Sequence, residues 1–186
     1  MSDLDTIKGK KKMKKLVLPV LLSILLLCGC TSNSKPPELS AGNGSFNLTP
    51  QEYIDKINEV VQLQEDSRYL EIPDFEASGD NIEIIFLDLN LELTTDENGY
   101  LTKIFYTWDS GRKNIGYSLG LYFGLTFEMI APDEEDLIFD KLDMMDAASE
   151  HYETGCTYNG IHFSYSMMGS GQFNYLTIEP ASNSVE

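Results

Sequence analysis

Four patterns of apolar and polar positions divide the chain. Between Leu16 and Leu27 the residues are almost all apolar. From Thr31 to Ser45 no apolar periodicity exists, and Ser, Pro, Gly and Asn dominate. Tyr53, Ile54, Ile57, Val60 and Val61 then recur at spacings of three and four, the stripe of a helix with one buried face. Thr49 predicts its N-cap, with Pro50 at the first helical position and Glu52 completing a capping box. Leu48 and Tyr53 suit a staple across that cap, and the helix is predicted to end near Gln64.

Beyond it the period becomes two. Arg68 to Ile72 predicts a short strand stopped by Pro73, and Ile82 to Thr94 a longer one. Within the longer run Leu87, Leu89, Leu91 and Leu93 alternate with Asp88, Asn90, Glu92 and Thr94, as in a sheet with one wet face. Asp96-Glu97-Asn98-Gly99 predicts a turn, returning as a strand from Tyr100 to Trp108. Ile115 to Ala131 is long and apolar enough for a helix. Gly116, Gly120 and Gly124 share one of its faces and predict a close approach to the sheet. Glu128 and the glycines make it a poor membrane span. Pro132 stops it, and a further helix is expected from Asp133 or Glu134 to about His151, burying Leu137, Ile138, Leu142, Met145 and Ala148. Cys156 to Tyr158 and Ile161 to Met167 flank the hairpin dipeptide Asn159-Gly160. Gly169-Ser170-Gly171 turns into a last strand, Gln172 to Ile178, closed by Pro180.

The expected order is α-β-β-β-α-α-β-β-β. Strands that cluster beside their neighbours favour hairpins, so the fold class is α+β, an antiparallel sheet with helices packed on one face. Its expected limits are residues 46–180, with 181–186 as a tail.

Charge changes the reading of the first segment. The 186 residues carry a net charge of -17, yet Lys8, Lys10, Lys11, Lys12, Lys14 and Lys15 all precede the apolar run. A basic stretch, a short apolar core and small residues after it make a signal peptide. Its end, Leu27-Cys28-Gly29-Cys30, resembles the lipobox of bacterial lipoproteins. The resemblance covers about the first 30 residues and specifies an address rather than an activity. It implies cleavage after Gly29, lipidation of Cys30, and a domain held by its acyl chains on the extracytoplasmic face of the cell membrane. Residues 1–29 are then the signal peptide and 30–45 the lipidated Cys with a flexible tether. Met13-Lys14-Lys15-Leu16 reads as a complete lipoprotein start by itself, which leaves Met1 and Met13 as alternative starts.

Without its basic leader the chain is more acidic still, which argues against a nucleic-acid partner. Cys156 is the one cysteine left after Cys28 and Cys30, so the fold rests on its core without an internal disulfide. The chain has no phosphate loop, dinucleotide fingerprint, zinc-protease helix or nucleophile elbow, and implies no cofactor. Cys156 with His162 or His151 is the weak catalytic candidate, a hydrolase pair if the two meet. Asp133 to Asp136, continued by Asp140, Asp143 and Asp146, reads as a solvated acidic face rather than a metal site. Phe163, Tyr165, Phe173 and Tyr175 are expected in matching phase on adjacent strands, as core if helices cover that face, the favoured reading, and as a platform for a peptide or sugar if it is open. Tyr100, Tyr106 and Trp108 are expected on one face of their own strand, with the same two readings. The leading expectation is a non-catalytic binding module for an envelope protein, peptide or glycan. A hydrolase and an ion- or small-ligand-binding lipoprotein are the alternatives.

Overall fold

A computed structural model describes residues 35–64, 69–76, 79–87, 89–110, 115–144, 152–169 and 172–181. The readings on the signal peptide, the lipobox and Met13 lie outside them.

The first helix, α1 (Pro50–Gln62), forms as its cap residues dictate. The Glu52 backbone N–H donates to Thr49 Oγ1, while the Thr49 N–H donates to the Glu52 carboxylate at 2.9 Å. Tyr53, Ile54, Ile57 and Val61 are buried.

Six antiparallel strands follow from four hairpins and one long return. They are β3 (Asn81–Phe86), β4 (Leu89–Thr95), β5 (Leu101–Asp109), β6 (Tyr152–Tyr158), β7 (Ile161–Met168) and β8 (Phe173–Pro180), in the spatial order β3-β4-β5-β8-β7-β6. Helices α2 (Ile115–Ile130) and α3 (Glu135–Leu142) connect β5 to β6. The fold is α+β. The core lies between the helices and one sheet face, where Leu91, Ile104, Tyr106, Phe163, Leu176 and Ile178 are fully buried.

Five differences from the sequence reading have physical causes. First, residues 35–45 belong to the folded unit, which begins at Lys35. The pair β1 (Ala41–Gly42) and β2 (Ser45–Phe46) turns at Asn43-Gly44, both left-handed at φ 55° and 85°. The backbone N–H groups of Glu38 and Leu39 donate to Met129 O, and Leu39 is fully buried.

Second, no strand forms over 69–72. That stretch is held by side chains instead: Asn58 accepts from the Ile72 N–H at 2.8 Å and donates to its carbonyl at 2.9 Å. The third strand of the first half arises because Ile82 to Thr94 splits into β3 and β4, with Leu87 left-handed at φ 50°. Buried positions are 82 and 84 before that turn and 89, 91 and 93 after it, so the alternation changes phase there.

Third, Gly120 and Gly124 of α2 make no close approach to the sheet. Gly120 is exposed, and a Cβ added at Gly120 or Gly124 would meet nothing within 4 Å. Tyr122, Phe123, Phe127 and Ile130 make the packed face. Fourth, α3 ends at Leu142, because Asp143 turns left-handed at φ 48° and its N–H donates back to the carbonyls of Phe139 and Asp140. Leu137 is exposed; Met145 and Ala148 lie outside the described residues. Fifth, Tyr100 precedes β5 and is exposed, off the face shared by Tyr106 and Trp108. The turn before it is as read: Asp96 Oδ1 accepts from the backbone N–H groups of Asn98 and Tyr100, with Gly99 left-handed at φ 84°.

Candidate functional site

Strand pairing assigns every side chain of the sheet to one of two faces, because neighbours along a strand point opposite ways. Ile84, Leu91, Tyr106, Leu176 and Tyr165 form one row across five strands, beneath the helices. The next row, Ile85, Asn90, Thr107, Tyr175 and Ser166, lies on the opposite face, which no described helix covers.

This pairing corrects the aromatic platform. Phe163 pairs with Ile178 and Tyr165 with Leu176, so both belong to the covered face and are buried. Tyr165 donates its hydroxyl to Asn174 Oδ1 at 2.7 Å, a satisfied core contact. Trp108 joins them, its ring 5.0 Å from Phe123 and 6.1 Å from Tyr165. Phe173 and Tyr175 fall on the open face, out of phase with Phe163 and Tyr165. The register between β7 and β8 pairs even with odd positions, so equal spacing along the two strands does not give a common face.

The open face has residues the sequence reading passed over. Phe105 stacks with Tyr175, ring centres 6.2 Å apart and planes 16° from parallel. The Lys103 ammonium sits 4.7 Å above the Phe105 ring, a cation–π contact. Ile85 is 70% exposed, Phe173 47% and Met168 40%. Each of Ile85, Phe105, Met168 and Tyr175 stands next to an apolar residue of the core. That doubling was the available signal, since a strand puts only one of two consecutive apolar residues inside. A depression of about 310 Å³ lies among Ile85, Asn90, Thr107, Phe173 and Tyr175.

Two carboxylates border the aromatic pair. Glu83 and Glu92 are direct cross-strand partners, and Glu92 pairs with Phe105. Asn90 Nδ2 donates to both, at 3.1 Å to Glu83 and 3.3 Å to Glu92. Ionised carboxylates only accept, so the contacts fix the amide: nitrogen toward the acids, oxygen away. Asn90 Oδ1 is buried and has no hydrogen-bond partner among the described residues.

A larger depression of about 560 Å³ lies between the start of α1 and the β4–β5 turn. Two of its polar groups are already committed: Thr49 caps α1, and bonds from the Tyr100 and Asn98 backbone hold the Asp96 carboxyl below its usual range. It is the weaker candidate despite its size.

The catalytic pairing of Cys156 with His162 fails on geometry. Cys156 pairs with Phe163 and lies on the covered side, whereas His162 pairs with Thr157 on the other face. His162 Nδ1 is 3.3 Å from Thr157 Oγ1. Burial pushes the Cys156 thiol up, against a smaller opposing effect of Lys141, the reverse of an activated nucleophile. His151 lies outside the described residues. Among the described residues the acidic run does not converge: Glu134 accepts from the Tyr158 hydroxyl, Asp133 is left-handed, and Asp143 ends α3, while Asp146 lies outside them. No group of three His, Cys, Asp or Glu among the described residues is arranged to hold a metal ion. No helix among them is long and apolar enough to cross a membrane.

No protein-family model matches the chain, and no curated protein or solved structure is detectably similar to it.

Proposed function

We propose that the chain is a non-catalytic binding module, anchored by lipid on Cys30 at the extracytoplasmic face of a cell membrane, and that it binds through the open face of its sheet. The address rests on the lipobox resemblance of Leu27-Cys28-Gly29-Cys30. The binding role rests on one observation: helices cover one sheet face, while the other holds Phe105, Tyr175, Phe173, Ile85 and Met168 at least partly in water. Exposed apolar side chains gathered on one side are a feature of interaction surfaces. An envelope protein, a peptide or a glycan would dock there, giving up little order because a sheet is already rigid.

Two experiments test this. Cys30→Ser in the full chain is expected to release the protein from the membrane fraction and abolish incorporation of labelled palmitate. Unchanged fractionation and labelling would remove the anchor. A photo-crosslinking side chain at Tyr175 or Phe173 is expected to trap a discrete product in cells, and the same group at exposed Leu137 on α3 is not. Equal trapping at all three positions would remove the open face as the binding surface.

A further inference from the structure

The charges of the open face point to the kind of partner. Glu83 and Glu92 face each other directly across β3 and β4, an arrangement of like charges that is destabilising in a sheet. Neither is in an ion pair among the described residues, and the amide they share is neutral. Glu153 and Glu179 add two more acids by register. Lys103 is the one Lys or Arg on this face among the described residues, and it already lies on Phe105. The chain thus fills one aromatic site of the face with its own cation. Tyr175, on the other side of the ring stack, has no cation over it among the described residues.

We infer that the open face takes an extended, cationic segment of polypeptide, its basic side chains against Glu83 and Glu92 and its apolar side chains against Tyr175 and Ile85. This names the partner of the binding face proposed above and rests on that reading. A second copy of the chain is disfavoured, because it would bring the same acids together on chains more acidic than the -17 of the sequence with its basic leader. Nucleic acid, an anionic glycan and an anionic lipid surface are repelled for the same reason. A neutral glycan would use the rings but leave the opposed carboxylates uncompensated. A small amine would satisfy the carboxylates and leave the rings wet. From β3 to β8 the face spans three strand spacings, about 14 Å, which a few residues of extended chain cover.

The test uses the full chain in detergent and fluorescence anisotropy of a labelled short peptide of alternating Lys and Tyr. Its Glu-for-Lys counterpart, spermine and a neutral chito-oligosaccharide serve as competitors. The Lys–Tyr peptide is expected to bind, the counterpart about tenfold more weakly or worse, and binding to fall with added salt. Glu83→Gln with Glu92→Gln is expected to weaken binding about tenfold and flatten the salt dependence. Tyr175→Ala should weaken it too, and Leu137→Ala should not. Equal binding of both peptides, or no effect of the double Gln variant, overturns the cationic assignment. Spermine displacing the peptide at equal affinity overturns the polypeptide assignment. If Tyr175→Ala still weakens whatever binds, the oligosaccharide included, only the partner class has failed. If it alters binding of no probe, the binding face has failed with it. Unchanged melting of each variant certifies the comparison.

Discussion

The two faces of the sheet share six strands and differ in what lies against them. On the covered face Tyr106 is fully buried, and its hydroxyl is 2.6 Å from that of Tyr53, itself 2.7 Å from Thr126 Oγ1. Thr126 Oγ1 is 3.3 Å from the Tyr106 hydroxyl and donates to the Tyr122 carbonyl at 2.8 Å. A chain of donors therefore runs from Tyr106 through Tyr53 and Thr126 to a backbone carbonyl, and every buried hydroxyl proton has an acceptor. Burial pushes both tyrosine pKa values up. One position along β5, Phe105 and Thr107 lie partly in water, and the aromatic contact there is a ring stack with Tyr175. The same residue type is cement on one face and an available surface on the other. Aromatic content alone therefore says little about binding.

The sharpest way to test that contrast is to truncate one residue on each side. Leu91→Ala, fully buried on the covered face, is expected to cost about 2–5 kcal/mol. Ile85→Ala, 70% exposed on the open face, should change stability by under about 0.5 kcal/mol. Denaturant midpoints at constant slope measure both, and equal costs would mean the open face is covered in solution. Next in size is Thr126→Val, which keeps the shape but removes the acceptor for Tyr53. It is expected to cost about 1–3 kcal/mol, and a near-neutral result would mean that the hydroxyl chain does not run in this direction.

A smaller effect is expected from Phe105→Ala. It removes a stack and a cation–π contact at a partly exposed site, together about 1 kcal/mol in chemical denaturation. A cost as large as that of Leu91→Ala would place Phe105 in the core. The smallest effect probes the outer side of the helix layer. Burial, and then a hydrogen bond with Glu135, raise the Glu128 carboxyl pKa above its usual value. A carboxyl whose pKa is raised by folding works against the fold once ionised. Glu128→Gln is therefore expected to be the more stable form at neutral pH, by under about 1 kcal/mol at this solvated site. The advantage should fade as pH falls through the raised pKa and vanish below the unfolded value of about 4.3. A variant less stable than the parent at pH 7 would contradict the sign.

Local chemistry was legible in the residues. The cap of α1 follows from Thr49, Pro50 and Glu52, and the turns at Asn98-Gly99 and Asn159-Gly160 follow from glycines that accept left-handed backbone at no steric cost. Asn43-Gly44 had the same signal, yet its Ser- and Pro-rich surroundings read as tether. The split of Ile82 to Thr94 was legible too, in the change of alternation around Leu87.

The sequence by itself determined the capped helix, the hairpin turns, the α+β class and the alternation within each strand. All of these depend on neighbours a few residues apart. Only the tertiary structure decided that Phe163 and Phe173 lie on opposite faces, that Cys156 and His162 never meet, and that Gly120 faces solvent. Alternation orders side chains within a strand but leaves open which parity faces the core. Pairing between strands chooses it, and so does the seating of α1 and α2 on one side, through contacts such as Tyr53 with Tyr106, 53 positions apart. Those contacts form together, between groups distant in the chain, and no short stretch of residues encodes them.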